Sequence, residues 1–335
     1  MRTIHAADEL KPAGRKVCLA IGFFDGVHLG HQQIIRQTLS DAKQHEAIGL
    51  VLTFDRHPNT VVAPSRLPPL VYSLPQKLRA IAAAGVEVTL LISFDESFSR
   101  QTGEQFIRQL ARDAGRLQSI CVGQAFTFGH GRSGHVRLLK RLGEEWHFVV
   151  HGLPAATLDH QVISSTRLRK AIAQGKLADA TQMLGRPYAL AGVVVAGDRL
   201  GHKLGFPTAN LDTPGQVLPP RGIYAVEAAL EGERFQGVLN IGVRPTLAQP
   251  HPPLRVEAHL LDFDRDIYGK ELELTFLKKL REEQKFPSLE ALRAQIAADV
   301  LAARQGLGPM VDPYPPPPHP GGHGRAQPAD QATDP

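Results

Sequence analysis

Residues 17–31 read VCLAIGFFDGVHLGH, and this stretch decides the fold. It opens on an apolar run, 17–21, that contains Cys18. The run breaks at Gly22, turns through Asp25 and Gly26, and sets His28 and His31 around Gly30. Residues 31–45 then carry Ile34, Ile35, Leu39 and Ala42 at helical spacing. The pattern predicts a strand, a glycine-containing turn and a helix, with both histidines in the first helical turn. A helix N-terminus presents unpaired N–H groups and the positive end of a dipole, which attract phosphate. Gly30 lets a bulky anion approach the backbone, and imidazoles there can donate to charge growing on a phosphate. A lone histidine is usually a satisfied surface side chain. An H-x-G-H pair directly after an apolar strand and a D-G turn points to function.

Residues 47–54 form an unbroken apolar run, which suits a parallel strand covered on both faces. It ends in Thr53-Phe54-Asp55-Arg56-His57-Pro58. Ligands of open α/β sheets bind beyond the carboxyl ends of the strands, so this turn faces the same crevice as His28. An ordinary polar loop held by Pro58 is the other reading. A proline-rich loop (64–75), a short helix (76–84) and a strand (86–93) follow. Thr102-Gly103-Glu104-Gln105 has capping-box spacing and opens a helix that stops at Gly115. A strand at 119–123 comes next. The alternation predicts an α/β, doubly wound parallel sheet with helices on both sides.

Residues 129–134 match G-x-G-x-x-G, but this is not the first strand–helix turn and no acidic residue follows at the required place. A dinucleotide fingerprint is therefore rejected. Phe126 and Phe128 can stack on a flat ring or belong to the core. In residues 163–169, ISSTRLR, either Ser164 or Ser165 can cap a short helix, and the cap alone would explain the serines. Arg167 and Arg169 add positive charge at that helix end.

Leu184-Gly185-Arg186-Pro187 breaks the last helix and marks a boundary, giving domains 1–186 and 187–305. Strand-like runs at 188–196, 222–230, 234–241, 255–262 and 272–277 have Gly, Pro or Asp in their connections and no long helix between them. They predict an antiparallel β-barrel. Ser288 then opens a C-terminal helix whose Leu289, Leu292, Ile296 and Val300 are expected to pack on the barrel. Residues 197–211, GDRLGHKLGFPTANL, space Gly197, Gly201 and Gly205 as in a loop that approaches phosphates. A Walker A sequence is absent. Thr208 and Asn210 supply neutral oxygens suited to a hard cation such as Mg²⁺, with ATP oxygens completing its shell. A glycine-rich hairpin loop explains the same composition. Glu257 alternates with Val256 and Ala258 along a strand. It is either a surface charge or a base for a hydroxyl that attacks ATP.

The chain has 335 residues, enough for about two domains, and a net charge of +5, which suits phosphorylated substrates. No arginine-rich stripe interleaved with aromatics argues for nucleic acid. The two cysteines, Cys18 and Cys121, lie in apolar runs and read as buried thiols. The N-terminal segment lacks an apolar core and a cleavage site, and no apolar run is long enough for a membrane span. A cytoplasmic protein, a monomer or weak oligomer, is expected. From Gly306 the chain turns rich in Pro, Gly and His. It reads as a disordered tail whose removal after Gln305 should leave activity and stability nearly unchanged.

Residues 22–31, GFFDGVHLGH, resemble the signature of nucleotidylyltransferases that transfer AMP or CMP with an H-x-G-H pair. More narrowly they resemble the bacterial bifunctional riboflavin kinase/FMN adenylyltransferase family. T-F-x-x-H-P at 53–58 and I-S-S-T at 163–166 are similar to the family's motifs, as is the run from G-F-P-T-A-N through Asn240-Ile241-Gly242-Val243-Arg244-Pro245-Thr246 and Glu257 to Tyr268-Gly269-Lys270 and Phe286. The resemblance covers about residues 15 to 305. It implies ATP, riboflavin and FMN as substrates, with Mg²⁺. It also implies His28, His31 and Glu257 as catalytic residues, and Thr208 and Asn210 at the metal. Phosphates would meet Gly22, Phe24, Asp25, Gly30, Ser164, Ser165, Thr166, Arg167, Gly197, Gly201 and Gly205. The flavin would meet His57, Phe126, Phe128, Asn240 and Arg244. One departure stands out: Ala125 occupies a position where the family carries Asp or Asn in its nucleotide site. Two rival readings are an adenylyltransferase of another phosphate ester with a regulatory barrel, and a flavin-binding regulatory protein without catalysis.

Overall fold

The computed structural model describes residues 1–197, 200–243, 254–306 and Tyr314. Its first half is built on six parallel strands: β1 (Arg2–Ile4), β2 (Lys16–Ile21), β3 (Ile48–Phe54), β4 (Val88–Ile92), β5 (Arg116–Gly123) and β6 (Val149–Leu153). Their order across the sheet is β1-β4-β3-β2-β5-β6. The longer helices are α1 (Leu29–Gln44), α2 (Leu74–Ala83), α3 (Gly103–Ala114), α4 (Val136–Trp146), α5 (Ser165–Ala173) and α6 (Leu177–Leu184). The unbroken apolar strands are explained by burial on both faces. Val17, Leu19, Leu50 and Leu52 enter one core with Phe106 and Ile107 of α3, while Ala20 and Val51 enter another with Ile35 of α1. The capping box at Thr102 and Gln105 is formed. Cys18 and Cys121 are free and buried.

The second half is a closed antiparallel barrel. Its strands are β7 (Ala189–Val195), β8 (Ala209–Asp212), β9 (Gly222–Leu230), β10 (Glu233–Val243), β11 (Leu254–Leu260) and β12 (Glu271–Arg281). They close in the order β7-β8-β11-β10-β9-β12. The sixth strand, β8, is the one the sequence patterns did not mark, because it has only four residues and begins just after a proline. The C-terminal helix α7 (Leu289–Gly306) packs on Ile223, Ala225 and Val238 of the barrel through Val300 and Ala303. The expected apolar stripe is corrected at one end, since Leu289 is 59% exposed. Asp299 is buried instead, where Arg281 pairs with it at 2.7 Å.

The two halves are not independent in their packing. One hydrophobic cluster runs from Ala20, Val51 and Ile81 beneath the sheet, through Tyr72, Leu184 and Tyr188, into Leu190, Tyr224 and Leu239 inside the barrel. Arg79 of α2 reaches Glu271 and Glu273 of β12, each at 2.6 Å. Gln76 donates to the Ala189 carbonyl at 3.1 Å. The tail expected to be disordered lies outside the described residues except at Tyr314. That ring packs against the shared cluster, 6.3 Å from Tyr72 and 5.7 Å from the Arg186 guanidinium.

Candidate active site

The turn between β2 and α1 is strained. Phe24, Gly26 and Val27 have φ of 56°, 79° and 42°. The left-handed region is a true outlier for a β-branched residue, so the surroundings must impose it. Asp25, 2% exposed, accepts from the Val71 N–H at 2.9 Å and the Tyr72 N–H at 3.2 Å, and pairs with Arg169 at 3.0 Å. Ser165 donates to the Asp25 carbonyl at 3.1 Å. Arg186, from the boundary peptide, donates to the Gly26 carbonyl at 2.9 Å. Asp25 was expected among the phosphate-binding residues. As a carboxylate engaged by protein donors, it pins the turn.

His28 is the N-cap of α1. Its Nδ1 accepts the His31 N–H at 3.4 Å, which leaves the proton of the neutral ring on Nε2. The two imidazoles stack at 3.7 Å with 16° between planes, and the Phe24 ring meets His31 edge-on at 5.2 Å. Burial pushes His28 down to about 4, and the guanidinium groups of Arg186 and Arg169 push the same way. Burial, then His28 and Lys77, hold His31 well below the usual histidine range. Both rings are therefore neutral at pH 7, as a stacked pair requires. Gly30 also makes room for the stack: a Cβ there would lie 3.2 Å from the His28 ring. Gly22 likewise clears the Phe24 ring. His31 Nδ1 is buried with no hydrogen-bond partner among the described residues.

His57 lies in the next turn, after β3, where its ring meets Phe23 edge-on at 4.9 Å. Its Nδ1 accepts from the Asn59 N–H at 3.0 Å. Asp55 accepts from the Phe94 N–H at 2.9 Å and pairs with the exposed Arg56 at 3.0 Å. Ser164 caps α5 by accepting the Arg167 N–H at 3.2 Å. Arg167 Nη1 donates to the Leu158 and Gln161 carbonyls at 3.1 and 3.0 Å, bracing a small hairpin. Thr166 is exposed beside it. Phe126 and Phe128 stack on each other at 5.3 Å and pack, half-buried, on the α3 side of the sheet. Ala125 next to them is exposed.

The barrel holds a second constellation, and its register explains it. Glu257 of β11 lies directly opposite Asn210 of β8 on one side and Asn240 of β10 on the other. Direct partners in an antiparallel sheet share a face, so the three side chains form one row. The neighbours Val256 and Ala258 point into the barrel core, which puts Glu257 on the outer face, 29% exposed. Asn240 Oδ1 is buried with no hydrogen-bond partner among the described residues. The glycine-rich segment folds over this row, and its residues 200–204 form a short helix where an open loop was expected. A Cβ on Gly197 would collide with the Asn210 amide at 2.0 Å, and one on Gly201 would touch Thr208 Oγ1 at 3.0 Å. Gly205 has φ of +87°. His259 Nδ1 lies 2.7 Å from the Pro207 carbonyl, docking the segment on β11. Beside this segment lies a cleft of about 400 Å³, lined by Thr208, Ala258, Phe263, Arg265 and Tyr268 among others, whose walls do not include Asn210, Glu257 or Asn240. Arg244 lies outside the described residues.

Comparison with known proteins fits this division. A family profile described as FAD synthetase matches residues 10–167, and one described as riboflavin kinase matches residues 184–307. The bifunctional riboflavin kinase/FMN adenylyltransferase of Escherichia coli (strain K12) is 39% identical over 310 residues, covering 92% of this chain and 98% of the relative. The chain belongs to the bifunctional riboflavin kinase/FMN adenylyltransferase family. A family member from Haemophilus influenzae is 38% identical over 305 residues, covering 91% of this chain and 97% of its own length. The crystal structure described as a macrolide-efflux protein from Streptococcus pneumoniae superposes with a TM-score of 0.75 at 27% identity, covering 90% of this chain and 98% of that one. Among the described residues here, no helix is long and apolar enough to cross a membrane.

Within this family framework two buried cations around the H-x-G-H turn, Lys77 and Arg186, escaped the motif reading, as did the pairing of the half-buried Arg169 with Asp25. Each is a single basic residue outside a glycine or histidine signature. Lys77 left one trace, a charged residue on the same helical face as Ala80 and Ile81.

Proposed function

We propose that the chain phosphorylates riboflavin to FMN on its barrel and then joins FMN to the AMP of a second ATP at the H-x-G-H turn, releasing pyrophosphate. The observation that carries this reading is the row Asn210–Glu257–Asn240, a carboxylate flanked by two amides on the outer barrel face. Residues 1–186 are assigned to adenylyl transfer and 187–305 to phosphorylation.

On the barrel, Glu257 takes the proton of the terminal ribityl hydroxyl as its oxygen attacks the γ-phosphorus of ATP, and ADP leaves. Asn240, together with Arg244, orients the flavin. The donor set fits Mg²⁺: Thr208 and Asn210 offer neutral oxygens, which leave room for phosphate oxygens to complete the shell of a hard cation. Bound there, the ion would supply charge neutralisation to the phosphates. Gly197 and Gly201 keep that segment close to Asn210 and Thr208.

At the turn, an FMN phosphate oxygen attacks the α-phosphorus of ATP and pyrophosphate departs. No enzyme-bound intermediate is needed. Neutral His28 donates from Nε2 to negative charge on the phosphates, and His31 stands beside it. The N-terminus of α5, with Ser164, Ser165 and Thr166, adds N–H groups and a favourable dipole. Arg167 spends one nitrogen on its hairpin and turns the rest of its guanidinium to the triphosphate. Such reactions depend mainly on positioning and electrostatics, so this sparse set suffices. His57, Phe126 and Phe128 are assigned to the flavin ring. The reading places the protein in the cytoplasm, as a monomer or weak oligomer that acts on small molecules and not on nucleic acid.

Incubation with riboflavin, ATP and Mg²⁺, followed by chromatography of the flavins, tests the reading. FMN and FAD should both accumulate. FAD formed only from added FMN would favour a regulatory barrel, and bound but unchanged riboflavin would favour a binding protein.

A further inference from the structure

Lys77 belongs to the first turn of α2 and is only 3% exposed. Its side chain runs beneath the two turns that bound the H-x-G-H crevice. The ammonium donates to the Phe54 carbonyl at 2.7 Å, the last residue of β3, and sits 4.2 Å from the centre of the Phe23 ring. Phe23 in turn meets His57. β2 and β3 are adjacent parallel strands, so Lys77 lies where their carboxyl ends meet.

The charge balance there is incomplete. An ammonium has three donors, and among the described residues the Phe54 carbonyl is the one hydrogen-bond acceptor Lys77 has. The nearby carboxylates are engaged elsewhere: Asp25 by Arg169 and the N–H groups of Val71 and Tyr72, Asp55 by Arg56, Ser93 and Phe94. No carboxylate among the described residues lies within ion-pairing distance of Lys77. A buried, unpaired charge is costly and survives when a partner of opposite sign arrives. The charge of Lys77 is felt by His31, whose buried Nδ1 has no hydrogen-bond partner among the described residues, and by His57.

We propose that Lys77 is a further catalytic residue of adenylyl transfer, whose ammonium binds a phosphate oxygen beside His31 and stabilises the negative charge of the reacting phosphates. This rests on the adenylyl-transfer reading of the turn. Burial pushes the Lys77 ammonium down to about 8, while Asp25 and Asp55 hold it partly up. The other titratable groups that face it are His31, His28 beyond it, and His57, and all three are held below the usual histidine value. Lys77 is therefore the group of this cluster that loses its charge between pH 7 and 9. A role limited to holding the Phe54 carbonyl would not show this, because a neutral amine still donates.

The test uses the full-length protein with both reactions measured separately, FMN being supplied for the second, from pH 6 to 9.5. For the wild type, kcat/KM of adenylylation should fall above about pH 8, and riboflavin phosphorylation should not share that limb. Lys77→Gln should lower adenylylation roughly 10²–10³-fold, the loss seen when one aimed donor is removed. Its phosphorylation rate should stay within about twofold, which also reports folding. Lys77→Arg should keep more activity than Lys77→Gln and lose the limb near pH 8. A wild-type profile flat through pH 9, or a Lys77→Gln enzyme that adenylylates within about threefold of wild type, overturns the assignment. A wild type that makes FMN but no FAD would instead overturn the adenylyl-transfer reading beneath it.

Discussion

Arg186 donates to the carbonyl of Gly26 at 2.9 Å across a separation of 160 residues. The same guanidinium bonds the Leu184 carbonyl at 3.2 Å and the Tyr72 hydroxyl at 3.2 Å, and it is 7% exposed. The strained turn that carries His28 is thus held from the peptide that leads into the barrel.

That link makes Arg186 a positioning residue for adenylyl transfer. Arg186→Gln leaves buried carbonyls short of donors, which costs about 1–3 kcal/mol. FMN adenylylation should fall at least tenfold through kcat, while riboflavin phosphorylation changes little. Rates of both reactions and a thermal melt check this; a uniform loss in both would mean that Arg186 serves only global folding.

Stability should fall in acid. His28 is lowered to about 4 from an ordinary value near 6.5, so the unfolded chain binds the proton more readily in between. The contribution is present above pH 6.5, shrinks as pH falls, and is gone below about 4; for His28 it is on the order of 3 kcal/mol. Urea unfolding at pH 7.5, 6 and 5 measures the slope. His28→Asn keeps a capping side chain and should flatten that slope.

Tyr314 changes what is expected of the tail. Its ring packs on Tyr72 and over the Arg186 guanidinium. Tyr314→Ala should lower the melting temperature by a few degrees, and truncation after Gln305 should do the same. If truncation leaves the melt unchanged, the contact has no energetic weight.

Much of this was legible in the sequence, for identifiable reasons. The apolar runs at 17–21 and 47–54 read as parallel strands because both faces are buried. The capping box at Thr102 was visible as spacing. Glycine proved harder to read: Gly30 and Gly197 give room to His28 and Asn210, a requirement that depends on where those side chains fold. β1 and β6 escaped notice because one has three residues and the other is interrupted by His151 and Gly152. The row Asn210–Glu257–Asn240 could not be seen, since register is a property of pairing and not of one strand.

The central claim is that two constellations in one chain perform two separable reactions, and both rates on two variants test it most directly. Glu257→Gln keeps shape but removes the carboxylate proposed as the base, which should slow phosphorylation of riboflavin by about 10²–10⁴-fold. The same variant, given FMN, should form FAD at near the wild-type rate. His28→Ala combined with His31→Ala should abolish FAD formation while FMN accumulates, with circular dichroism showing both proteins folded. A folded Glu257→Gln protein that loses FAD formation from supplied FMN along with phosphorylation would contradict the two-site account.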